Sequence, residues 1–407
     1  MSTAPSLLCY DPKSHGFYQN PFPLYARLRA ESPLHTEPLL GGELIVSTHA
    51  DVRSVLRHPA FRPADLAAAV ASHAGTNGTH LPAIKSALDA TLFLQTGEGH
   101  QAARRYLARV LANKPLGQCL PVAERLVAEL VTDARKRGGI DLVADFAELL
   151  PFRFMAEILG VPREDVPFLM DCCERVVVAL FRRHCSTTEY IQMNAQIALA
   201  LDHLEALFRA RRANPCDDGL TRMIALGGDD PGLPDRELAA RCYFMFMVGV
   251  ETTVTFLGGA FLALLENPGE TERWQRGEVN PQQAQEELLR YVSPVQATLR
   301  MAVEDCTIRE LPIAKGRMAC ALIASANRDE TLFPDPDRLD LSRTPGPHLA
   351  FGDGAHACLG AALARLEGQA AFASFLSLPR MHLTNATPEW WPYETIRKPR
   401  NLLVEFK

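Results

Sequence analysis

The spacing of apolar residues predicts a chain that is mainly helical. Between Glu98 and Leu265, leucine, alanine and valine recur every three or four residues, as in VAERLVAELVTDARKR and ALDHLEALFRARR, and this is the period of one helix face. The first hundred residues mix helix-like and strand-like stretches. In ELIVSTHADVRSVLRHP an apolar strand precedes a helix opened by Thr48 or Asp51. We therefore expect a large helical body with a smaller part that contains strands.

The longest apolar stretch predicts a buried core helix. It runs from Cys242 to Leu265 and is long enough to cross a bilayer, but Glu251 lies in its middle, where a carboxylate is costly. The N-terminus lacks the basic start, apolar run and small-residue cleavage site of a signal peptide. We therefore expect a cytoplasmic protein without a membrane anchor.

Two segments outside the helical pattern predict functional loops. After Asp329, the proline- and glycine-rich stretch FPDPDRLDLSRTPGPHLAFGDGAH ends directly on the apolar stretch CLGAALARLEGQAAFASFL. Prolines remove backbone donors and glycines allow positive φ, so the first stretch is a loop, and long loops in compact proteins usually serve a function. Residues 64–90 are rich in small residues, which predicts either a plain surface loop or a lid that contacts substrate.

Length and composition narrow the class of protein. The 407 residues exceed a typical domain of about 100–200 residues, but no repeat, charge block or low-complexity linker divides the chain. A hydrophobic content of 47%, a charged content of 22% and a net charge of −6 indicate a globular protein that does not bind nucleic acid. Ten cysteines without a CxxC spacing indicate reduced thiols rather than a disulfide framework.

Cys358 is the cysteine with the strongest chemical signal. Gly352, Gly354 and Gly360 around it allow tight backbone turns and close approach to a flat ligand. The thiol precedes a predicted helix, whose amide dipoles stabilise a thiolate, and such a sulfur is a strong soft ligand for iron. Zinc remains an alternative, although only His356 lies close by as a second ligand. A nucleophilic cysteine with a distant histidine is another.

The ten residues from Phe351 to Gly360 resemble the haem-binding signature of the cytochrome P450 superfamily. That signature reads Phe-Gly-x-Gly-x-x-x-Cys-x-Gly, and this chain has the form with a histidine, His356, two residues before the cysteine. The resemblance implies that Cys358 is the axial ligand of the iron in haem b, where the sulfur pushes electron density to favour O–O cleavage. It also implies that Phe351 and Gly360 contact the cofactor.

Glu287 and Arg290 resemble the family's Glu-x-x-Arg pair. They stand one helical turn apart, so their side chains share a helix face. The resemblance implies that Arg343, in the proline-rich loop, completes a buried ion triad. The stretches Ala326–Asp329 and Phe333–Asp337 also resemble the family. All of these would hold the cysteine loop in place.

The sequence VGVETT, residues 248–253, resembles the family's long central helix. There Gly249 would make room above the iron, Thr252 would be the hydrogen-bonding alcohol and Glu251 the proton source, because bound dioxygen must receive two protons within an apolar pocket. Alternatively, Thr252 is a helix-bending threonine and Glu251 a satisfied buried acid. Val248 departs from the small residue that most members carry.

Four residues match the family's partners of the haem propionates: His100, Arg104, Arg300 and His356. Two of them, His100 and Arg104, lie at i and i+4 on one predicted helix face. Two carboxylates that enter a protein interior need cationic or donor partners, since their desolvation is otherwise too costly.

The resemblance extends over essentially the whole chain, from NPFPLYARLRAESP through LPFRFMAEILGVPRED to NLLVEF. It implies one domain, residues 1–407, shaped as a mainly α helical prism that encloses haem and carries a small β-rich lobe. In having a histidine two residues before the cysteine, the chain resembles the soluble bacterial members of the family. The resemblance implies that electrons come from NAD(P)H through a ferredoxin or flavodoxin-type partner. We also expect a monomer.

Positions for the electron donor and the substrate follow from the same resemblance. A basic patch of Arg105, Arg109 and Lys114 would attract an acidic donor, with scattered surface charge as the alternative interpretation. The segments that match substrate-contacting regions are residues 64–92, Arg175 to Ala200, Val295 to Leu299 and Thr395 to Lys398. Their side chains include Phe181, Arg182, Arg183, His184 and Tyr190, so an apolar substrate with a polar group fits, although the charged ones fit solvent equally well.

These features predict a haem-thiolate monooxygenase that activates O2 and oxidises an apolar small molecule in bacterial secondary metabolism or catabolism. Desaturation, epoxidation or coupling at the same haem are alternatives within this class. A haem sensor without turnover is an alternative from another class, and the intact Glu251 and Thr252 argue against it, because a sensor needs no proton delivery.

Overall fold

The chain forms two compact units, each built from separate stretches. The computed structural model describes residues 8–64, 70, 81–112, 116–181, 185–228, 232–378, 381–384 and 388–406. The first unit comprises Met1–Ala64, Glu266–Cys358 and Glu389–Arg400. The second unit comprises Asp65–Leu265, Leu359–Pro388 and Asn401–Lys407. The prediction of one domain stays a prediction.

Helices dominate the described residues. In chain order they are α1 (His15–Gln19), α2 (Phe22–Glu31), α3 (His49–Arg57), α4 (Pro82–Asp89), α5 (Gly97–Leu111), α6 (Leu116–Arg137), α7 (Leu149–Leu159), α8 (Val166–Phe181), α9 (Thr187–Ala213), α10 (Gly219–Leu226), α11 (Asp235–Glu266), α12 (Pro268–Gln275), α13 (Pro281–Val292), α14 (Ile323–Ala326) and α15 (Ala361–Leu376). The predicted helical body is thereby confirmed.

Strands are short and few by comparison. They are β1 (Leu34–Glu37), β2 (Glu43–Val46), β3 (Phe61–Pro63), β4 (Gly139–Asp141), β5 (Thr298–Ala302), β6 (Cys306–Ile308), β7 (Leu311–Ile313), β8 (Met318–Ala321), β9 (Met381–Leu383) and β10 (Leu403–Phe406). The strands of the first unit form a five-stranded sheet, in the order β1-β2-β8-β5-β3, and the pair β6-β7. In the second unit β4, β10 and β9 form an antiparallel sheet.

The five-stranded sheet and α3 share an apolar core in the first unit. Strand β2 pairs in parallel with β8, and the remaining neighbours are antiparallel. Val52, Val55 and Leu56 on one side of α3 pack into a buried cluster with Leu44 and Leu349. Thr48 caps the helix, because its side chain accepts a hydrogen bond from the Asp51 amide.

The second unit is organised around α11, which is buried along most of its length. Helix α15 packs against it through three aromatic ring contacts, Phe256–Phe372, Phe261–Phe372 and Phe261–Phe375. Within the part of the chain that the structure describes, α11 alone is long and apolar enough to span a membrane, but 78% of its apolar window is buried in the protein. This confirms the prediction of a core helix.

The loop before Cys358 has the irregular backbone that its prolines and glycines predict. No helix or strand forms among the described residues from Asn327 to Asp353. The earlier loop, residues 64–90, is described only in part. Its last third forms α4, whose Ala83 and Ile84 amides donate to Asn194 Oδ1 on α9 at 3.0 and 3.2 Å.

Candidate active site

The backbone around Cys358 is folded into consecutive tight turns. Gly352 and Gly354 have φ values of +69° and +73°, which only glycine adopts without strain. The Cys358 amide donates to the Phe351 carbonyl at 2.8 Å, and the Ala357 amide donates to the Gly354 carbonyl at 3.1 Å. The Cys358 side chain is exposed within this fold, so its sulfur is accessible to a ligand.

Gly360 differs from the other two glycines. Its φ is −85°, so a tight turn does not explain why glycine is present. A Cβ added there would meet no heavy atom within 4 Å. The open space beside Gly360 therefore supports only the second part of the prediction, close approach to a flat ligand.

The zinc alternative finds no ligand group among the described residues. No group of three or more histidine, cysteine, aspartate or glutamate side chains that could hold a metal ion occurs among the residues with described positions. Structural zinc takes four such ligands and catalytic zinc takes three.

The three members of the predicted ion triad lie together in the first unit. Arg290 Nε and Nη2 donate to the two oxygens of Glu287 at 2.7 and 2.8 Å, and Arg343 Nε donates to Glu287 Oε1 at 3.0 Å. The side chains of Glu287 and Arg290 are each only 2% exposed. The single carboxylate of Glu287 thus pairs with both guanidinium groups in a buried place, where charges need partners.

The same arginines hold the backbone of the loop before Cys358. Arg290 Nη1 donates to the carbonyls of Asn327 and Pro336, both at 2.9 Å. Arg343 Nη1 donates to the Pro334 carbonyl at 2.7 Å. Because this loop lacks backbone ladders of its own, side-chain donors satisfy its carbonyl groups.

The central helix α11 places Gly249, Glu251 and Thr252 within one turn. A Cβ on Gly249 would lie 3.0 Å from Met155 Cε, so glycine lets α7 approach closely. Thr252 Oγ1 donates to the Val248 carbonyl at 3.1 Å, and a hydroxyl that donates in this way can still accept a hydrogen bond. The Glu251 side chain is buried.

His100 and Arg104 share a face of α5 in the second unit. His100 is buried, and its pKa is lowered by that burial and, secondarily, by the positive charge of Arg104. A neutral imidazole keeps one N–H donor, and Arg104 supplies a permanent charge. This pair can receive an anion without the repulsion of two adjacent cations.

Arg300 is a buried cation whose hydrogen bonds go to neutral groups. Its Nη1 donates to Thr298 Oγ1 and to the Leu299 carbonyl, each at 2.9 Å. Burial lowers its pKa to about 10. Within the described ranges no carboxylate pairs with it, and a buried guanidinium of this kind is well suited to an anionic ligand.

Two segments predicted to contact substrate meet in the first unit. Val295 and Ile396 form an isolated antiparallel bridge, and the Gln296 amide donates to the Thr395 carbonyl at 2.8 Å. In the second unit, Tyr190 on α9 is buried. The Phe181 side chain and residues Arg182, Arg183 and His184 lie outside the described residues.

The basic patch predicted for the electron donor is described in part. Arg105 and Arg109 are exposed on α5, four residues apart, while Lys114 lies outside the described residues. Residues at this spacing lie on one helix face.

Glu367 on α15 is a buried acid that the motifs did not reveal. Its Oε2 has no hydrogen-bond partner among the residues whose positions are known, and burial raises its pKa well above the ordinary value. A carboxyl group in such surroundings keeps its proton to a higher pH than an exposed one does. The signal in the sequence was a single acidic residue in a mostly apolar helix, AALARLEGQAAFASFL.

We expect Glu367→Gln to remove a pH dependence of stability. Between pH 4.5, the ordinary value, and the raised folded value, the unfolded chain binds fewer protons at Glu367 than the folded protein, so the unfolding free energy falls as pH rises. As the pH rises through that window, the unfolding free energy of the variant should therefore increase relative to that of the wild type, by up to about 1.4 kcal/mol per pH unit. Denaturant titrations from pH 5 to 8 measure this. Glu124→Gln, at an exposed site on α6, gives the baseline, and parallel curves for wild type and Glu367→Gln would contradict the expectation.

Comparison with known proteins identifies the chain. A family model for cytochrome P450 matches residues 282–406. The nocardicin C N-oxygenase of Nocardia uniformis subsp. tsuyamanensis is 33% identical over 396 residues, which cover 94% of this chain and 94% of that enzyme. The vitamin D(3) 25-hydroxylase of Pseudonocardia autotrophica is 31% identical over 389 residues, covering 92% of this chain and 90% of that enzyme. This chain is a cytochrome P450.

A solved cytochrome P450 structure agrees with this assignment. The crystal structure of P450BioI in complex with hexadec-9Z-enoic acid ligated acyl carrier protein superposes with a TM-score of 0.87 at 28% identity, covering 96% of this chain and 100% of that one. The predicted family and fold are confirmed, as is the prediction of an oxidoreductase. The alternative of a sensor without turnover is therefore not supported.

Membership in the cytochrome P450 family implies haem as cofactor, a redox partner, O2 and a small-molecule substrate. The residues of this cytochrome P450 fit such a cofactor. Cys358 offers an accessible thiol, Gly360 leaves open space, and Arg300 is a buried cation whose described hydrogen bonds go only to neutral oxygens.

Proposed function

We propose that Cys358 binds the iron of haem b as its axial thiolate, and that this cytochrome P450 inserts oxygen from O2 into an apolar small molecule. The observation that carries the proposal is the turn from Phe351 to Cys358, which presents an accessible thiol within a hydrogen-bonded backbone. A thiolate ligand supplies the haem with the electron density that favours O–O cleavage.

Arg300, His356, His100 and Arg104 are the residues that would hold the two propionates. The support for Arg300 is its burial among neutral partners. For His100, the support for binding a propionate is its neutral imidazole, which can donate a hydrogen bond. For Arg104, it is the permanent positive charge. Phe351, Gly249 and Gly360 would contact the ring, with Gly360 leaving space for it.

Thr252 and Glu251 would handle protons. Thr252 Oγ1 donates its hydrogen to the Val248 carbonyl, so its lone pairs remain free to accept a hydrogen bond from a water molecule. The buried Glu251 supplies an exchangeable proton on the adjacent position of α11. Such positioned groups typically contribute a factor of about 10² to 10⁴ to a proton-transfer rate.

Electrons would come from NAD(P)H through a ferredoxin or flavodoxin-type protein that binds near the exposed Arg105 and Arg109.

We also propose a cytoplasmic monomer that acts in bacterial secondary metabolism or catabolism. The substrate would be an apolar molecule contacted by the paired segments around Gln296 and Thr395. Desaturation, epoxidation or coupling at the same centre would appear as different products of the same substrate.

The proposal is tested by the absorption spectrum of the reduced carbon-monoxide complex. The wild type should absorb at about 450 nm, whereas haems ligated by histidine absorb at about 420 nm. Cys358→Ser should abolish the 450 nm band, and Cys216→Ser, at another exposed thiol, should retain it. A wild type that stays colourless after haem supply, or that absorbs only near 420 nm, would overturn the proposal.

A further inference from the structure

Helix α3 contacts the cysteine loop along one face. His49, Arg53 and Arg57 are spaced at i, i+4 and i+8, so their side chains point in the same direction. His49 Nε2 lies 2.7 Å from the Pro347 carbonyl, six residues before Asp353. Every residue of this contact belongs to the first unit.

The two arginines converge on Asp353. Arg53 Nε donates to Asp353 Oδ2 at 2.6 Å, and Arg57 Nη1 donates to Asp353 Oδ1 at 3.2 Å. The Asp353 side chain is 21% exposed, whereas those of Arg53 and Arg57 are 50% and 56% exposed. A single carboxylate thus receives charged donors on both of its oxygens, which orients it more firmly than one exposed pair does.

Asp353 in turn shapes the turn that leads to the thiol. Its Oδ1 accepts a hydrogen bond from the Gly354 amide at 2.6 Å and caps the 3₁₀ turn Gly354–His356. Burial of the Asp353 carboxyl acts to raise its pKa, but the hydrogen bonds from Arg53 and Gly354 and the charges of the two arginines lower it overall. The residue is therefore ionised at neutral pH, as the two ion pairs require.

Backbone contact adds to these side-chain contacts. A Cβ on Gly354 would lie 3.0 Å from the Leu56 carbonyl oxygen and 3.5 Å from Arg57 Cα. Leu349, at the other end of the loop, packs into the same buried cluster as Val52 and Val55. The loop from Pro347 to Gly354 is thus fixed to α3 by a hydrogen bond, two ion pairs and direct packing.

We propose that Arg53 and Arg57 are positioning residues that act through Asp353 on the Cys358 turn. This inference rests on the proposed ligation of haem by Cys358. With the arginines removed, the Asp353 cap loses its orientation, and the turn before the thiol can shift away from its place. The sulfur would then leave the iron, or take up a proton, more readily than in the wild type.

The test follows conversion of the reduced carbon-monoxide complex from the 450 nm form to the 420 nm form over time in mild urea, an uncharged denaturant that leaves ion pairs unscreened. We expect the double variant R53Q/R57Q to convert roughly three- to ten-fold faster than the wild type, as the loss of two ion pairs on one carboxylate suggests. D353A should convert at least as fast, because it also loses the cap. D353N should be intermediate, since asparagine still caps the turn.

Control variants separate positioning from a general effect of charge. R53K/R57K keeps both charges and should recover most of the wild-type rate. R276Q removes an exposed arginine that follows α12 and pairs with Glu278, and this variant should match the wild type. In about 1 M sodium chloride, exposed ion pairs are strongly screened, so the wild type itself should convert faster. This measurement does not depend on whether any variant folds.

The outcomes distinguish the two proposals. A wild type without the 450 nm band overturns ligation by Cys358. A wild type with that band, together with R53Q/R57Q and D353A that convert at the wild-type rate, overturns the positioning role alone. Hydrogen exchange of the apoprotein gives a readout without haem, in which faster exchange of the Gly354 and Cys358 amides in R53Q/R57Q supports the proposal.

Discussion

Glu287→Gln is expected to lower the unfolding free energy by roughly 3–5 kcal/mol, because it leaves the buried Arg290 and the partly buried Arg343 without their counter-charge. Glu287 is the shared carboxylate of Arg290 and Arg343, and it also accepts from the Asp340 amide at 3.1 Å. Glutamine keeps the shape and one acceptor oxygen, so the expected loss is mainly electrostatic. Urea titration followed by circular dichroism measures the free energy, and the haem content after purification measures the consequence for the cofactor.

A control for this substitution lies in the same unit. Glu278→Gln removes a carboxylate from an exposed ion pair with Arg276 and should leave the urea midpoint unchanged within error. The interpretation of Glu287 as a buried counter-charge would be wrong if both variants shifted the midpoint equally. Retained stability with loss of haem would instead assign Glu287 a role in cofactor binding alone.

Thr252→Val is expected to lower product formation about 100-fold while NAD(P)H oxidation continues and releases hydrogen peroxide. Valine has nearly the shape of threonine but lacks the hydroxyl, so only the hydrogen-bonding group is lost. Glu251→Gln should slow NAD(P)H oxidation itself, because the amide cannot release a proton. The measurements are product and peroxide per NAD(P)H oxidised, with any compound that shifts the haem spin state used as substrate.

Thr253→Val provides the matched control on α11. The Thr253 hydroxyl donates to the Gly249 carbonyl at 3.0 Å, as the Thr252 hydroxyl does to the Val248 carbonyl. Both variants lose the same kind of bond to the preceding turn, but Thr253 has no proposed part in proton delivery. Equal peroxide release from the two variants would assign the effect of Thr252 to helix geometry.

Local patterns were enough to predict the parts of the site that lie close in the sequence. The three-residue spacing of Glu287 and Arg290 predicts a shared helix face, and the glycines around Cys358 predict the turns at Gly352 and Gly354. The family resemblance was needed to add Arg343, which is 56 residues from Glu287.

Contacts between distant residues could not be predicted in this way. Arg53 and Asp353 are 300 residues apart and carry no spacing signal. Burial depends on the tertiary fold, so the sequence could not show that Glu367 is enclosed or that Arg300 is surrounded by neutral partners. Gly360 illustrates the same limit, because its presence is explained by free space rather than by its own backbone angles.

The loop before Cys358 is held in place through its main-chain carbonyl groups. Arg290 and Arg343 bond to the carbonyl oxygens of Asn327, Pro334, Asp335, Pro336 and Arg338. Since every amino acid carries the same carbonyl group, mutations that change side chains in this loop can accumulate over evolution without disturbing its anchorage. The planar, forked guanidinium groups have no equivalent among the other side chains. We therefore expect substitutions to be tolerated in the loop but not at Arg290 and Arg343.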